Sequence, residues 1–158
     1  MENLNEIGLQ KKSTAEIAGK LNNLLANYHI YYQNLRGFHW NIKGVHFFQL
    51  HAKFEELYTV ALEKIDLIAE RILTIGYTPL HTFSQYVERS TVKEALNISG
   101  DRETVSATRD NISLILDMER EIMELASESG DEGTLGLISE DVNQNEKTFW
   151  MLSAFLNE

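Results

Sequence analysis

The sequence predicts an all-α protein built as a bundle of four long helices. Apolar residues recur at helical spacing in four long stretches of the chain. Pro79 is the only proline in 158 residues, whereas sheet proteins with many tight turns usually need more turn formers. This length suits one domain, and the hydrophobic content of 43% is enough for a core.

The first helix is predicted to begin at Ser13, after a short polar tail over residues 1–12. Ser13 and Glu16 form the Ser-x-x-Glu pattern of a capping box. The bundle domain is therefore expected to span 13–158. The apolar face of the first helix comprises Ile17, Leu21, Leu24, Leu25, Tyr28, Tyr31, Leu35 and Phe38.

Gly44 marks a tight connection to a second helix over about 46–75. Gly76 follows its end and Pro79 comes three residues later, which together are a usual helix stop signal. The apolar face of the second helix comprises Leu50, Phe54, Leu57, Ala61, Ile65, Ile68 and Ile72.

A long crossover over 77–100 is predicted to hold a short helix around Phe83–Arg89. The third long helix then spans about 102–129 and the fourth about 132–156. One long crossover between the second and third long helices resembles the connectivity of ferritin-like bundles. The inward positions are Ile112, Ile115, Met118, Ile122 and Leu125 in the third long helix, and Leu135, Ile138, Val142, Asn145, Phe149, Leu152 and Leu156 in the fourth.

The composition excludes several kinds of chemistry. Without cysteine, the chain forms no disulfides, thiolate zinc sites, iron–sulfur clusters or cysteine nucleophiles. No signal peptide and no apolar run of ~18 residues is visible, so a cytoplasmic protein without membrane spans is expected. The net charge of −10 disfavours nucleic acid and attracts cations, although solubility alone would also explain it.

The polar face of the second helix carries candidate metal ligands. His51, Glu55, Thr59, Leu62, Asp66 and Glu70 fall within one arc of about 100°. Asp66 and Glu70 lie one turn apart and could chelate a hard cation, and a histidine added to carboxylates is typical of non-haem iron. His39 lies near the end of the first helix. A solvated helix face and a core histidine are the alternative interpretations.

The distance between these residues predicts that any such site is shared between subunits. His51 and Asp66 are separated by ~22 Å along one helix, whereas metal–ligand bonds are only ~2.0–2.2 Å long. Antiparallel packing of the second helix on its own copy, about an axis near Tyr58–Val60, would bring residue 51 of one chain to residues 66–70 of the other.

Several motifs identify the chain as similar to the Dps family of mini-ferritins. The segments are Asn34–Gly44, Phe47–His51, Lys53–Tyr58 and Asp66–Ile72, with Pro79, His81, Phe83, Glu146, Lys147 and Trp150–Leu152 in support. The spacings from His39 to His51, Asp66 and Glu70 match the ferroxidase motif of that family. The resemblance covers nearly the whole chain.

The resemblance implies a hollow shell of twelve subunits that oxidises Fe(II), with hydrogen peroxide as the usual oxidant, and stores Fe(III). Iron is thus the implied cofactor and substrate. Asp66 and Glu70 of one subunit would hold Fe(II), and His39 of its neighbour would complete the first position. His51 and Glu55 would serve a second position. Trp40 would intercept radicals, or would simply pack at an interface.

Two positions depart from the family pattern. Glu55 stands where the family often has aspartate. Gly136 stands where many relatives carry an acidic residue of the iron pore, so that another acidic residue would have to line it. The candidates are Asp131, Glu132, Glu140 and Asp141.

Two other functions compete with iron oxidation. One is direct DNA binding, which is not expected because the tail offers only Lys11 and Lys12 against Glu2 and Glu6. The other is a structural bundle in which the site is idle. Iron oxidation assays separate the first function from the idle bundle, and a gel shift separates it from DNA binding.

Overall fold

The computed structural model describes residues 3–158. Its helices are α1 (Lys11–Asn41), α2 (Phe47–Thr74), α3 (Phe83–Arg89), α4 (Asp101–Ser129) and α5 (Glu132–Leu156). The four long helices form the bundle, while α3 lies in the crossover and packs on α1. The predicted all-α fold and the short crossover helix are confirmed. None of the helices in the described part of the chain is long and apolar enough to cross a membrane.

Helix α1 begins at Lys11, two residues before the predicted start, and the predicted capping box does not form. The N–H of Lys11 instead donates to the carbonyl of Asn3 at 2.8 Å. That bond satisfies one of the free donors at the helix start without a side-chain cap. Residues 3–10 thus form a hook, closed by a bridge between Leu4 and Gln10.

The core follows the predicted apolar faces. Every residue of the predicted faces of α1 and α2 is buried. In α4 the isoleucines of the predicted face are buried, whereas Met118 and Leu125 are only partly covered. In α5, Leu135 and Phe149 are also partly covered. The apolar faces predicted for the last two long helices are therefore buried less completely than those predicted for the first two.

The crossover is fastened to α1 by Asn27. The side-chain oxygen of Asn27 accepts hydrogen bonds from the hydroxyl of Ser90, from the N–H and hydroxyl of Thr91 and from the N–H of Val92. Asn34, two turns further along α1, makes two more bonds to the backbone of the crossover. The long connection between α2 and α4 is thereby held against one helix.

A polar network lies at the centre of the bundle and joins all four long helices. Tyr28 donates to Glu119 Oε1 at 2.6 Å, and Asn145 Nδ2 donates to both oxygens of Glu119 at 3.1 Å. Lys64 Nζ donates to Asn145 Oδ1 at 3.1 Å and lies 3.8 Å from Asp141 Oδ1. Each of these side chains is buried, so the network compensates polar groups that would otherwise be costly to bury.

Burial changes the protonation of this network. Desolvation raises the pKa of Glu119 to about 7, against the hydrogen bonds from Tyr28 and Asn145 and the nearby Lys64. Desolvation also raises the pKa of Asp141 to about 6, against the attraction of Lys64. Each carboxyl group therefore binds a proton more tightly in the folded protein than in the unfolded chain.

We predict that Glu119 makes stability fall as pH rises. Because its pKa rises from 4.5 to about 7 on folding, its proton-linked stabilisation is complete below pH 4.5 and lost as pH passes 7. Between pH 5 and 7.5, the free energy of unfolding should fall by about 2 kcal/mol less in Glu119→Gln than in the wild type. Urea titrations at one chain concentration measure this difference.

The matched control for this prediction is Glu124→Gln, which changes an exposed glutamate of the same helix. The control variant should keep the wild-type pH dependence. Equal pH dependence in the wild type and Glu119→Gln would contradict the prediction.

Candidate metal centre

Two histidines from neighbouring helices lie face to face. His39 belongs to the last turn of α1, and His51 belongs to the second turn of α2, across the tight connection at Gly44. Their ring centroids are 3.8 Å apart, with 14° between the ring planes. His39 Nδ1 lies 2.7 Å from the carbonyl oxygen of His51, and His51 Nδ1 lies 2.7 Å from that of His39.

These reciprocal hydrogen bonds determine which ring nitrogen is available. A carbonyl oxygen only accepts, so both Nδ1 atoms must carry the proton and donate it. In the neutral rings, the lone pair is then on Nε2. Neither Nε2 atom makes a hydrogen bond to any residue of 3–158. A ring fixed through one nitrogen, with the other free, is the usual arrangement of a metal-binding histidine.

Aromatic neighbours restrict both rings further. Phe47 stacks on His51 with centroids 5.1 Å apart, and Tyr58 packs edge-on against His39 at 5.3 Å. His39 is 8% exposed, and His51 is half-buried. Phe47 and Tyr58 belong to the family motifs in the sequence, but no contact with the histidines was predicted for either; the four-residue spacing from Phe47 to His51 is a signal that could have indicated the first.

The candidate carboxylates have no side-chain partners among residues 3–158. Asp66, Glu70 and Glu55 are exposed on α2, and their carboxylates form no hydrogen bond or ion pair within residues 3–158. Asp66 and Glu70 lie one turn apart. Unpaired carboxylates spaced in this way could bind a hard divalent cation without first breaking an internal contact.

A single chain does not bring the histidines and the carboxylate pair together. Among the residues that the structure describes, no three histidine, aspartate or glutamate side chains converge closely enough to hold a metal ion. His51 and Asp66 occupy one continuous helix, α2, which separates them by ~22 Å. Each chain thus carries a histidine pair (His39 and His51) and a separate carboxylate pair (Asp66 and Glu70).

Trp40 follows His39 and is 57% exposed. The guanidinium of Arg36 lies 4.9 Å from the centre of its ring and 5.3 Å from that of Tyr32. The guanidinium of Arg36 therefore packs against the ring of Trp40, while much of the ring's surface faces solvent in the isolated chain.

The four candidate pore residues differ in their surroundings. Asp131 is buried, caps α5 through the N–H of Thr134, and lies 2.6 Å from Arg71. Asp141 is buried beside Lys64 in the central network. Both carboxylates are thus already engaged within the chain. The other two candidates, Glu132 and Glu140, are exposed.

Comparison with known proteins agrees with this fold. A family model for the ferritin-like domain matches residues 18–158. The DNA protection during starvation protein of Porphyromonas gingivalis is 41% identical over 148 residues, covering 94% of this chain and 93% of the relative. An uncharacterised protein of Haemophilus influenzae is 49% identical over 148 residues, covering 94% and 92%.

Solved structures agree as well. The crystal structure of the Dps protein from Vibrio cholerae O1 matches with a TM-score of 0.95 and 47% identity, over 98% of this chain and 97% of that one. That protein is described as a member of a broad superfamily of ferritin-like diiron-carboxylate proteins. The Dps protein from Bacillus brevis matches with a TM-score of 0.89 and 37% identity, over 92% and 97%. This chain therefore belongs to the Dps family of ferritin-like proteins.

Proposed function

We propose that this protein is a ferroxidase that binds Fe(II), oxidises it with hydrogen peroxide and stores Fe(III) inside a hollow shell of twelve cytoplasmic subunits. The observation that carries the proposal is the histidine pair, in which reciprocal hydrogen bonds leave both Nε2 atoms free. The Vibrio cholerae relative, described as ferritin-like and diiron-carboxylate, supports iron as the metal.

The active site forms between two subunits. Helix α2 packs antiparallel on α2 of a second copy, with the two-fold axis near Tyr58–Val60. The histidine pair of each subunit then faces the carboxylate pair of the other, which makes two equivalent sites per dimer. This arrangement is supported by the position of His51 and the carboxylate pair on one arc of α2, near opposite ends of the helix, with His39 stacked on His51.

Each side chain has a distinct role in this site. Asp66 and Glu70 hold Fe(II) as hard oxygen ligands, and His39 of the neighbouring subunit adds a nitrogen ligand. His51 and Glu55 bind a second, weaker iron. Two Fe(II) each give one electron to hydrogen peroxide, which with two protons becomes two water molecules. The reaction consumes both reactants that would otherwise generate hydroxyl radicals, and so protects DNA indirectly.

The acidic surface supports the supply of iron. A net charge of −10 per chain gives about −120 in a shell of twelve, which attracts Fe(II). Of the four acidic candidates for the pore, Glu132 and Glu140 fit best, since their side chains are exposed. Asp131 and Asp141 would first have to leave Arg71 and Lys64.

Removing the carboxylate pair should stop iron oxidation without unfolding the bundle. We predict that Asp66→Ala/Glu70→Ala slows the initial rate at least ~100-fold, because it removes both oxygen ligands from an exposed surface. Stopped-flow absorbance of ferric species after mixing with peroxide measures the rate. Glu124→Ala/Glu128→Ala, which removes two exposed glutamates one turn apart on α4, is the control. A wild-type rate in the first variant would refute the site.

A shared site can be restored by mixing two inactive variants. We predict that His39→Ala/His51→Ala and Asp66→Ala/Glu70→Ala, each inactive alone, recover part of the activity when co-assembled. Each mixed dimer regains one intact site and keeps one that lacks all four ligands. Shells refolded from an equal mixture, verified as mixed by native mass spectrometry, provide the test. Mixed shells without activity would argue that all ligands come from one chain.

Direct DNA binding should be negligible at physiological salt. Nonspecific DNA affinity depends on lysine and arginine side chains that neutralise phosphates, and it falls steeply between ~50 and ~200 mM salt. Lys11 and Lys12 at the start of α1 are too few against the charge of −10 per chain. Electrophoretic shifts at two salt concentrations measure the affinity. A retarded band that persists at ~150 mM salt would show a local basic surface that outweighs the net charge.

A further inference from the structure

Two exposed apolar side chains extend the site face of α2 at both ends. Phe48 lies three residues before His51 and is 82% exposed, and Leu73 lies three residues after Glu70 and is 58% exposed. At 100° per residue, both fall within the arc that holds the histidine and the carboxylates. Both side chains therefore lie on the face of α2 that the antiparallel pairing under Proposed function would cover.

Leu73 borders a cavity beneath the N-terminal hook. The cavity is about 420 Å³ in volume, and its lining is partly apolar and partly polar: Leu4, Ile7, Leu73 and Ile75 on the one hand, and Asn5, Glu6, Lys11 and Thr74 on the other, with Gly76. The apolar side chains of Leu4 and Ile7 are themselves partly exposed, so the cavity offers apolar surface that water covers in the isolated chain.

The hook is an ordered structure. Asn5 Oδ1 accepts the N–H groups of Ile7 and Leu9 at 3.2 and 2.9 Å. Asn5 Nδ2 donates to the carbonyl of Ile75 at 3.4 Å, which fastens the hook to the end of α2. One wall of the cavity is therefore held in place by side-chain and backbone hydrogen bonds.

We propose that this cavity seats Phe48 of a second copy of the chain. The inference rests on the antiparallel pairing of α2 under Proposed function. The separations from Phe48 to His51 and from Glu70 to Leu73 are equal, each ~4.5 Å along the helix. A register that brings His51 to Glu70 of the partner therefore brings Phe48 to Leu73, and the two-fold axis repeats this contact.

Val45 is a second exposed apolar side chain near the proposed contact. It is 85% exposed and lies three residues before Phe48. It lies in the turn before α2, and Gly76, another residue of the cavity lining, lies just past the end of α2. Two exposed apolar side chains, one just before α2 and one in its first turn, thus meet one partly apolar cavity at the end of the partner's α2, and both lose exposed surface in the dimer.

Seating Phe48 would also position the metal ligands. The rings of Phe48 and Phe47 are in edge-on contact, with centroids 5.3 Å apart. Phe47 in turn stacks on His51. Phe48 therefore acts as a positioning residue: it holds the histidine end of one subunit against the carboxylate end of the other.

The absence of cysteine allows a direct test by crosslinking. In Phe48→Cys/Leu73→Cys, the two thiols of one chain lie ~37 Å apart along α2, so a short bis-maleimide can join only different chains. We expect covalent dimers on denaturing gels. Controls are each single variant and Phe83→Cys/Leu73→Cys, which places a thiol at an equally exposed phenylalanine on α3. No dimer in the first variant, or equal yields in all, would overturn the inference.

A second measurement compares the removal of Phe48 with the removal of Phe83, a phenylalanine that is equally exposed. Phe48→Ala should raise the concentration at which particles dissociate at least ~10-fold in mass photometry, whereas Phe83→Ala should not. Unchanged assembly in Phe48→Ala would also overturn the inference.

The crosslink and the proposed activity can fail separately. Adding Asp66→Ala/Glu70→Ala to the cysteine pair should leave crosslinking intact while iron oxidation is lost. Crosslinking in a protein whose wild type oxidises no iron would sustain the docking and refute the ferroxidase. Iron oxidation by the wild type without any crosslink in the cysteine pair would refute the docking alone.

Discussion

The reciprocal hydrogen bonds between His39 and His51 are the interaction on which the candidate metal centre depends. Each ring donates to the main chain of the other helix, so the two bonds join the end of α1 to the start of α2. They also fix both tautomers and leave both Nε2 atoms free. Because Asp66 and Glu70 lie far along the same helix, one chain cannot bring all four proposed ligands to one metal ion.

The buried carboxylates at the centre of the bundle and the exposed candidate carboxylates of α2 differ in whether they have polar partners. Glu119 at the centre accepts hydrogen bonds from Tyr28 and Asn145, whereas Asp141 has Lys64 3.8 Å from one oxygen and no hydrogen bond to the other from residues 3–158. The exposed carboxylates of Glu55, Asp66 and Glu70 on α2 remain unpaired within residues 3–158 at little cost, because water solvates them. The carboxylates that could bind a cation are therefore those on the surface of α2, because Lys64 already lies beside the central ones.

Much of the fold could be predicted from the sequence, because helical periodicity reports burial directly. The buried faces of α1 and α2 are those that the spacing indicates, and the distance from His51 to Asp66 follows from helix geometry alone. Contacts between distant segments could not be predicted in this way. In the sequence, Asp131 is only an acidic residue between two predicted helices. Its ion pair with Arg71 forms when folding brings the two distant segments together.

Other features depend on short segments whose path has no periodic signal. The early start of α1 follows from the carbonyl that Asn3 supplies, and the reciprocal bond of the histidines follows from the turn at Gly44, which has a φ of +118°. The candidate ligands could thus be named from spacing and family resemblance. The tautomers of His39 and His51, and the aromatic rings that pack against them, could be identified only from the folded structure.

A structure of the assembled protein with Zn(II), which is redox-inert, tests the central claim most directly. It should show the metal bound by Asp66 and Glu70 of one subunit and by Nε2 of His39 from its neighbour, with both Nδ1–carbonyl bonds intact. Zinc held by ligands from one chain only, or histidine rings turned so that Nδ1 binds the metal, would contradict this account.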